Sequence, residues 1–370
     1  MKFNINQNDL QQSLGYCQGV IEKRSTLPIL SNILLDASSS KLKIIATDLD
    51  LVFVNEIKNV EIIEEGKTTT VSSTLYDIIR KFNSGKKINF NQTSENKIQL
   101  ESEKSIFNLN CLSASEFPVT EEIFTANEFS MKAKELLKLL NKCKFSVSND
   151  ETRHYLSGIY IHQTRTDDKT YLTAAATDSH RMSISKILLN KEIQFDPIIL
   201  PKKTIFQLVN LLEDYEGDVK ISNEKSKIKF EMENSILISK LIDGKFPNYI
   251  QVIPTNNKKR LEVDLKLFMD SVDRVASVSL DKKDSVKFIL TKDKLNLSVN
   301  NTSSGDGNET INVNFDHELN ISFNSRYLID IASQLDGDKI ELYLNETGSP
   351  ALIKDPSDFD SIYVVMPMKG

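Results

Sequence analysis

The chain repeats itself three times at a spacing of about 125–130 residues, and that repetition limits the possible folds more than any single motif does. Each copy opens on a short alternating strand followed by an apolar stripe. The stripes are Leu10, Leu14, Cys17, Ile21; then Leu136, Leu140, Cys143, Val147; then Phe268, Val272, Val275 and a polar Ser279. All follow i, i+4, i+7, i+11, which is one face of a helix laid on a core. A second stripe recurs later in each copy: Leu75, Ile78, Ile79, Phe82; Ile205, Leu208, Val209, Leu212; Leu328, Ile331, Ala332, Leu335. Ser73 and Thr74, Thr204 and Ser325 precede these and are expected to supply N-cap oxygens. Gly85, Gly217 and Gly337 follow them, suited to a left-handed C-terminal turn, and each leads into a strand.

The rest of each copy reads as short antiparallel strands. KLKIIATDLDLVFVNEI in the first copy answers TYLTAAATDSHRMSISKI in the second, and FNLNCLSASEFP answers LISKLIDGKFP. The period is too long for a solenoid. The expected fold class is therefore α+β: three tandem copies of a two-helix, antiparallel-sheet domain, at 1–124, 125–256 and 257–370. Such units stack most simply by continuing a sheet across their junctions. That leaves an unpaired edge on the first and last domains. Head-to-tail pairing of those edges closes a ring or runs on as a filament.

Composition narrows the class of molecule. With 370 residues, 39% hydrophobic and 26% charged, the chain is neither collagenous nor disordered, and no run of about 18 apolar residues spans a bilayer. The opening MKFNINQNDLQQSL lacks a signal peptide's apolar stretch, so a cytoplasmic location is expected. Cys17, Cys111 and Cys143 are scattered and suit a reducing compartment, and His154, His162, His180 and His317 lack ligand spacing. No metal or cofactor is expected.

The net charge is −6, unevenly spread: −3 over 1–124, +2 over 125–256 and −5 over 257–370. Basic residues gather on the helices. Lys23 and Arg24 follow the first, and Arg80 and Lys81 lie on the second. Lys132, Lys134, Lys138, Lys142 and Lys144 face a lone Glu135, giving a local +4, and Lys202, Lys203, Lys266, Arg274 and Arg326 continue the pattern. Helices turned one way would present a cationic surface on an acidic protein, suited to loose, sequence-independent phosphate contact.

Several segments carry a specific resemblance: EKRSTLPILSNILL (22–35), ATDLD (46–50), SASEFP (113–118), ATDSHRMS (176–183), DGKFPNY (243–249) and YVVMPMKG (363–370). With them the whole chain resembles the bacterial DNA polymerase III β subunit family, the sliding clamps or processivity factors. The resemblance implies a head-to-tail homodimeric ring of six similar domains (the DNA clamp fold). That ring would encircle double-stranded DNA without sequence preference, tether the replicative polymerase and other proteins carrying a clamp-binding motif, and be placed by an ATP-dependent loader. No catalysis is implied. The family's partner-peptide pocket maps by motif onto Leu156, Thr177, Ser179, His180, Arg181, Met182, Pro247, Val252, Val364, Val365, Met366, Pro367 and Met368, with Asn324 and Tyr327 at the rim. Apolar and Met side chains suit a short Leu/Phe-containing peptide, with Arg181 and His180 expected to orient its backbone or a carboxylate. Ser179, Met182, Gln251 and the Lys369-Gly370 ending depart from the family pattern and bear on peptide preference. The resemblance assigns DNA contact to Arg24, Arg80, Asn149, His154, Tyr155, Lys202 and Lys203. It sets Phe107 and Leu109 of the first domain against Ser277 and Val278 of the third in the dimer.

Two rivals remain at this stage. Thr177-Asp178-Ser179-His180 brings hydroxyl, carboxylate and imidazole together in sequence, as a hydrolase would, but neighbours in a strand point to opposite faces. The second is a β-rich scaffold or surface-binding module without a DNA role, which the missing secretion signal and the basic helix faces disfavour.

Overall fold

A computed structural model describes residues 1–22, 26–118, 124, 128–278, 285–301 and 303–368. The first copy runs β1 (Lys2–Asn6), α1 (Gln7–Cys17), β2 (Asn32–Ser38), β3 (Lys41–Thr47), β4 (Leu51–Ile57), β5 (Val60–Glu64), β6 (Gly66–Val71), α2 (Ser72–Ile79), β7 (Lys87–Ser94), β8 (Lys97–Ser102) and β9 (Ser105–Asn110). The second runs β10 (Glu128–Lys132), α3 (Ala133–Lys144), β11 (Gly158–Thr166), β12 (Lys169–Thr177), β13 (Arg181–Leu188), β14 (Ile198–Pro201), α4 (Lys202–Glu213), β15 (Asp218–Asn223), β16 (Lys227–Met232) and β17 (Ser235–Lys240). The third runs β18 (Lys259–Asp264), α5 (Leu265–Ala276), β19 (Ser285–Thr291), β20 (Lys294–Asn301), β21 (Gly305–Asn312), β22 (Leu319–Asn324), α6 (Ser325–Ala332), β23 (Lys339–Leu344), β24 (Ala351–Asp355) and β25 (Asp358–Val365). Apart from the extra β5, the order is strand, helix, four strands, helix, three strands in every copy. The fold is three tandem α+β repeats.

All strand pairs are antiparallel, and the sheets do join successive copies. One eight-stranded sheet runs β10-β15-β16-β17-β4-β3-β2-β6, the other β14-β11-β12-β13-β25-β24-β23-β18. The first junction sets Leu237 of β17 opposite Phe53 of β4, and the second sets Tyr363 of β25 opposite Ser183 of β13. The flanking sheets are β5-β1-β7-β8-β9 and β21-β20-β19-β22. Because each junction sheet draws on two copies, the middle copy divides between two compact units. One holds Met1–Leu137, Ile193–Asp196 and Lys203–Leu241; the other holds Lys138–Glu192, Pro197–Lys202 and Ile242–Gly370.

The helix stripes bury as their spacing requires. Leu10, Leu14, Cys17, Leu136, Leu140, Cys143, Phe268, Val272 and Val275 are all at most 4% exposed, each such side chain contributing about 1.5–3 kcal/mol of transfer free energy. Ser279 lies outside the described residues. In the second set Ile78 and Phe82 are only half-buried, and Phe82 lies beyond the end of α2 at Ile79. The three cysteines are buried and unpaired, and burial pushes the Cys17 thiol up to about 12.

The expected caps are wrong in position. Ser73, Thr74, Thr204 and Ser325 lie inside the first turns. α2 is preceded by Val71, which makes no side-chain cap, and α6 is capped by Asn324, whose side chain accepts from Tyr327 N–H at 3.2 Å. Thr204 instead shares a 2.6 Å hydrogen bond with Ser239. Of the three glycines only Gly85 is left-handed (φ +74°), and it sits in a turn six residues past the end of α2. Gly337 is needed for closeness: a Cβ there would come within 2.8 Å of Asp355 Oδ1, whose carboxylate accepts from the Gly337 N–H.

Candidate functional site

The turn joining β12 to β13 builds one wall of an apolar pocket in the second unit. Thr177 Oγ1 donates to the Arg181 carbonyl at 2.7 Å and accepts from Ser179 N–H at 3.1 Å. Asp178 Oδ1 accepts from the N–H groups of His180 (2.9 Å) and Arg181 (3.0 Å). Ser179 takes φ +78°, where glycine is the unstrained choice. The first copy folds its β3–β4 turn the same way: Thr47 Oγ1 accepts from Leu49 (φ +79°), and Asp48 Oδ1 accepts from Asp50 and Leu51. Thr-Asp therefore recurs because it closes a hairpin. The expectation that Thr177–His180 lies in a strand is corrected, and the hydrolase reading loses its trio, since the second oxygen of Asp178 accepts from Arg181 Nε rather than from an imidazole.

The pocket has a volume of about 260 Å³. Leu156, Thr177, Ser179, His180, Arg181, Met182, Pro247, Val252, Val364 and Met366 line it together with Tyr249, which sequence reasoning missed. Val365, Pro367 and Met368 of the expected lining are not in contact with it, and Asn324 and Tyr327, expected at the rim, lie outside the lining as well. Val365 is fully buried in the sheet opposite Arg181 and Ala351. Asn324 caps α6, and Tyr327 lays its ring under the Arg181 guanidinium, 4.4 Å from the centroid. Pro367 and Met368 belong to the tail beyond β25, which is tied down by Met366 N–H to His180 O and Met368 N–H to Ser322 O, both 2.8 Å. Lys369 and Gly370 lie outside the described residues, while Gln251 is exposed beside Val252.

Arg181 lines the pocket as expected, but its hydrogen-bonding groups are already engaged within the fold. Its side chain is only 10% exposed and its donors are committed: Nε to Asp178 at 3.0 Å, Nη1 to Asp330 at 2.5 Å, and Nη2 to the Phe145 carbonyl. Tyr327 and Phe145 sandwich it. These contacts make it a support of the wall. The cation that reaches the rim is Arg153, donating to Ser179 Oγ at 2.6 Å and to Asp150 at 2.8 Å. Hydrogen bonds from Thr152 and Arg153 draw the Asp150 carboxyl down to about 2. The i, i+3 pairing of Asp150 with Arg153 was visible in the sequence; its reach to Ser179 was not.

The expected DNA-contacting residues fall in separate places. In the second unit, exposed Asn149 accepts from Lys202 Nζ, and exposed His154 has Nε2 3.0 Å from the Asp243 carbonyl and its ring edge against Tyr155. In the first unit Arg80, at the end of α2, is exposed and pairs with Asp77, whereas Lys203 is drawn to Asp48 and the Val20 carbonyl. Arg24 and Lys23 lie outside the described residues. The uniform basic-helix expectation also needs correcting. Lys142 is 4% exposed, bonded to the Gln334 carbonyl and 3.0 Å from Asp336. Lys138 reaches Asp358, Lys132 reaches Asp218 from a strand, and Arg274 pairs with Glu309.

Of the expected dimer residues, Phe107 and Leu109 sit on the edge strand β9, with Phe107 exposed and edge-on to Phe82. Ser277 caps α5, and half-buried Val278 would lie 2.9 Å from a Cβ added at Gly307.

Family models match nearly the whole chain in three consecutive pieces: DNA polymerase III beta subunit N-terminal domain over 1–121, central domain over 130–248, and C-terminal domain over 250–369. The chain is 36% identical over 372 residues to the beta sliding clamp of Caulobacter vibrioides, and 28% identical over 370 residues to that of Escherichia coli, covering 100% of both chains in each case. Among solved structures it is similar to a sliding clamp from Bartonella birtlesii bound to griselimycin, with TM-score 0.94, 36% identity and 100% coverage of both chains.

Proposed function

The chain belongs to the bacterial DNA polymerase III β subunit family, the sliding clamps, and from that premise we propose how its own residues carry out the family's work. It is a clamp that encircles duplex DNA and tethers the replicative polymerase, and it performs no catalysis. Its domains are 1–124, 125–256 and 257–370, and it works in the cytoplasm, opened and placed by an ATP-dependent loader.

One observation carries the closed ring. At each internal junction the last strand of one copy pairs with the third strand after the first helix of the copy before it: β17 with β4, β25 with β13. The last strand of the first copy, β9, and the third strand of the hairpin set in the third copy, β21, are the edges left over by that rule. Pairing β9 with β21 of a second copy repeats the junction twice and closes the assembly. The register follows as well. Ser105 opens β9 as Ser235 opens β17, and Gly307 faces Val299 as Phe53 faces Ala46. Since Leu237 lies opposite Phe53, Phe107 falls opposite Gly307 of the second copy. At Gly307 a Cβ would come within 2.9 Å of Val278, so glycine lets Val278 pack close against the strand and leaves that side chain for the Phe107 ring to meet.

Phosphate contact falls to the group around Asn149, His154, Tyr155 and Lys202, to Arg80, and to Arg24, with Lys203 contributing less because Asp48 holds it. Polymerase and other clamp-binding-motif proteins insert a Leu/Phe-containing peptide into the pocket lined by Leu156, Met182, Tyr249, Val364 and Met366. The test is retention after loading: clamp should stay on nicked circular DNA and run off when the circle is cut. Equal retention on both would overturn encirclement, and a filament in sedimentation would overturn the seam.

A further inference from the structure

Four aromatic rings meet beneath the pocket. Tyr160 and His162 come from β11, Phe246 from the segment after β17, and Tyr249 from the short 3-10 turn Tyr249–Val252. Tyr160 stacks on His162 (centroids 4.5 Å apart, 23° between planes) and on Phe246 (5.0 Å, 7°). Tyr249 meets His162 nearly edge-on at 5.7 Å and Phe246 at 6.4 Å. Of the four, only Tyr249 lines the pocket.

The hydrogen bonds fix the roles within this group. His162 Nδ1 lies 3.1 Å from the Gln163 carbonyl, which can only accept, so Nδ1 carries the proton. Nε2 is then a bare lone pair, 2.8 Å from the Tyr249 hydroxyl, which donates to it. Burial lowers the His162 pKa and raises that of Tyr249 to about 12, so both groups keep the neutral forms this bond requires. The first copy holds Leu34 and Asp36 at the register-equivalent positions of Tyr160 and His162, so the ring group is a feature of the copy that carries the pocket.

Resting on the reading of this pocket as the partner site, we propose that His162 is a positioning residue: by accepting the Tyr249 hydroxyl it fixes the aromatic floor and so sets the pocket's preference for a bulky apolar side chain. It touches no ligand itself. A Tyr249 ring free to turn would fill or deepen the cavity unpredictably, and the cost would fall on the partner side chain that reaches furthest in.

The probe is a short synthetic peptide carrying Leu and Phe, and a second with its Phe replaced by Ala, titrated by fluorescence anisotropy against the full chain. His162→Phe keeps a ring and loses the acceptor, Tyr249→Phe loses only the hydroxyl, and His162→Gln restores an acceptor. His162→Phe and Tyr249→Phe should each weaken the Phe peptide about three- to ten-fold, the worth of one buried hydrogen bond. The double variant should lose no more than either alone, His162→Gln should stay within about two-fold of the parent, and the Ala peptide should hardly respond. Additive losses, unchanged binding by Tyr249→Phe, or a loss in His162→Gln equal to that in His162→Phe would overturn the proposal. Should His162→Phe fail to fold, the isosteric Tyr249→Phe still decides it. Failure of the unaltered chain to bind either peptide would overturn the pocket reading itself, and the inference with it.

Discussion

Arg181 separates two accounts of the pocket wall, recognition and support. Replacing it with Met keeps most of the stem and removes the guanidinium. Asp178 and Asp330, whose side chains are 16% and 30% exposed, would lose their partner, and the Phe145 carbonyl would lose its donor. Breaking a buried pair costs about 3–5 kcal/mol, and the partial exposure of Asp330 places this case near the lower end, at about 3 kcal/mol. That figure includes the Tyr327 and Phe145 contacts, each worth about 0.5–1 kcal/mol. With a urea dependence of about 1–3 kcal/mol per molar, the midpoint should drop by about 1 M or more. The chain has no Trp, so far-UV circular dichroism is the natural readout. Peptide affinity, measured well below the transition, should fall less than stability does. An unfolding curve that coincides with the parent's, alongside abolished peptide binding, would refute the supporting role and return Arg181 to ligand contact.

Ala175→Ile should fill the pocket from beneath, because the register-equivalent position in the first copy is Ile45, packed against Phe117 and Leu34. Peptide binding should fall at least about ten-fold, and urea unfolding should register the overpacking of this fully buried site at about 1–3 kcal/mol. Lys142→Met should cost about 2 kcal/mol or more in urea unfolding by leaving Asp336 and Asp358 short of a partner, whereas Lys134→Ala, fully on the surface, should reduce only the salt dependence of DNA retention. Burial holds the His162 pKa below its ordinary 6.5, so the folded chain refuses a proton that the unfolded chain accepts. The stability this neutral form provides is complete above about pH 6.5 and is lost as pH falls through the folded-state value, with Tyr160 and Tyr249 against it neutral throughout; urea midpoints across that window should fall less steeply in His162→Gln.

The repeat was legible because helix stripes and hairpin signals depend on local spacing, which sequence preserves. Leu10, Leu136 and Phe268 each bury one face for the same reason, and the threefold order of elements follows. Caps were less legible. Asn324 caps α6 from the end of the preceding strand, one residue ahead of the Ser325 that looked like the cap, and only backbone dihedrals distinguish the two. Lys142 shows the limit of charge counting. On a helical wheel it joins Lys134 and Lys138, yet Asp336 and Asp358, nearly two hundred residues on or more, draw it inward. Tyr249 escaped because its place in the pocket depends on a 3-10 turn and a histidine 87 residues earlier, neither of which leaves a periodic trace. Family motifs placed most of the pocket wall but could not distinguish Arg181 as a support from Arg181 as a contact.

A covalent seam tests the ring most directly. Ile106→Cys and Asn308→Cys in one chain, both at exposed positions, put two thiols directly opposite across the expected β9–β21 pairing, at the roughly 4.4–6.8 Å Cα separation a disulfide needs. Oxidised after loading on a closed circular plasmid, the protein should become a covalent dimer. It should stay with the circle in about 1 M salt, where the Debye length is only about 3 Å, and leave once the DNA is cut a single time. Cross-linking into open polymers, or equal release from cut and uncut DNA, would contradict the closed clamp.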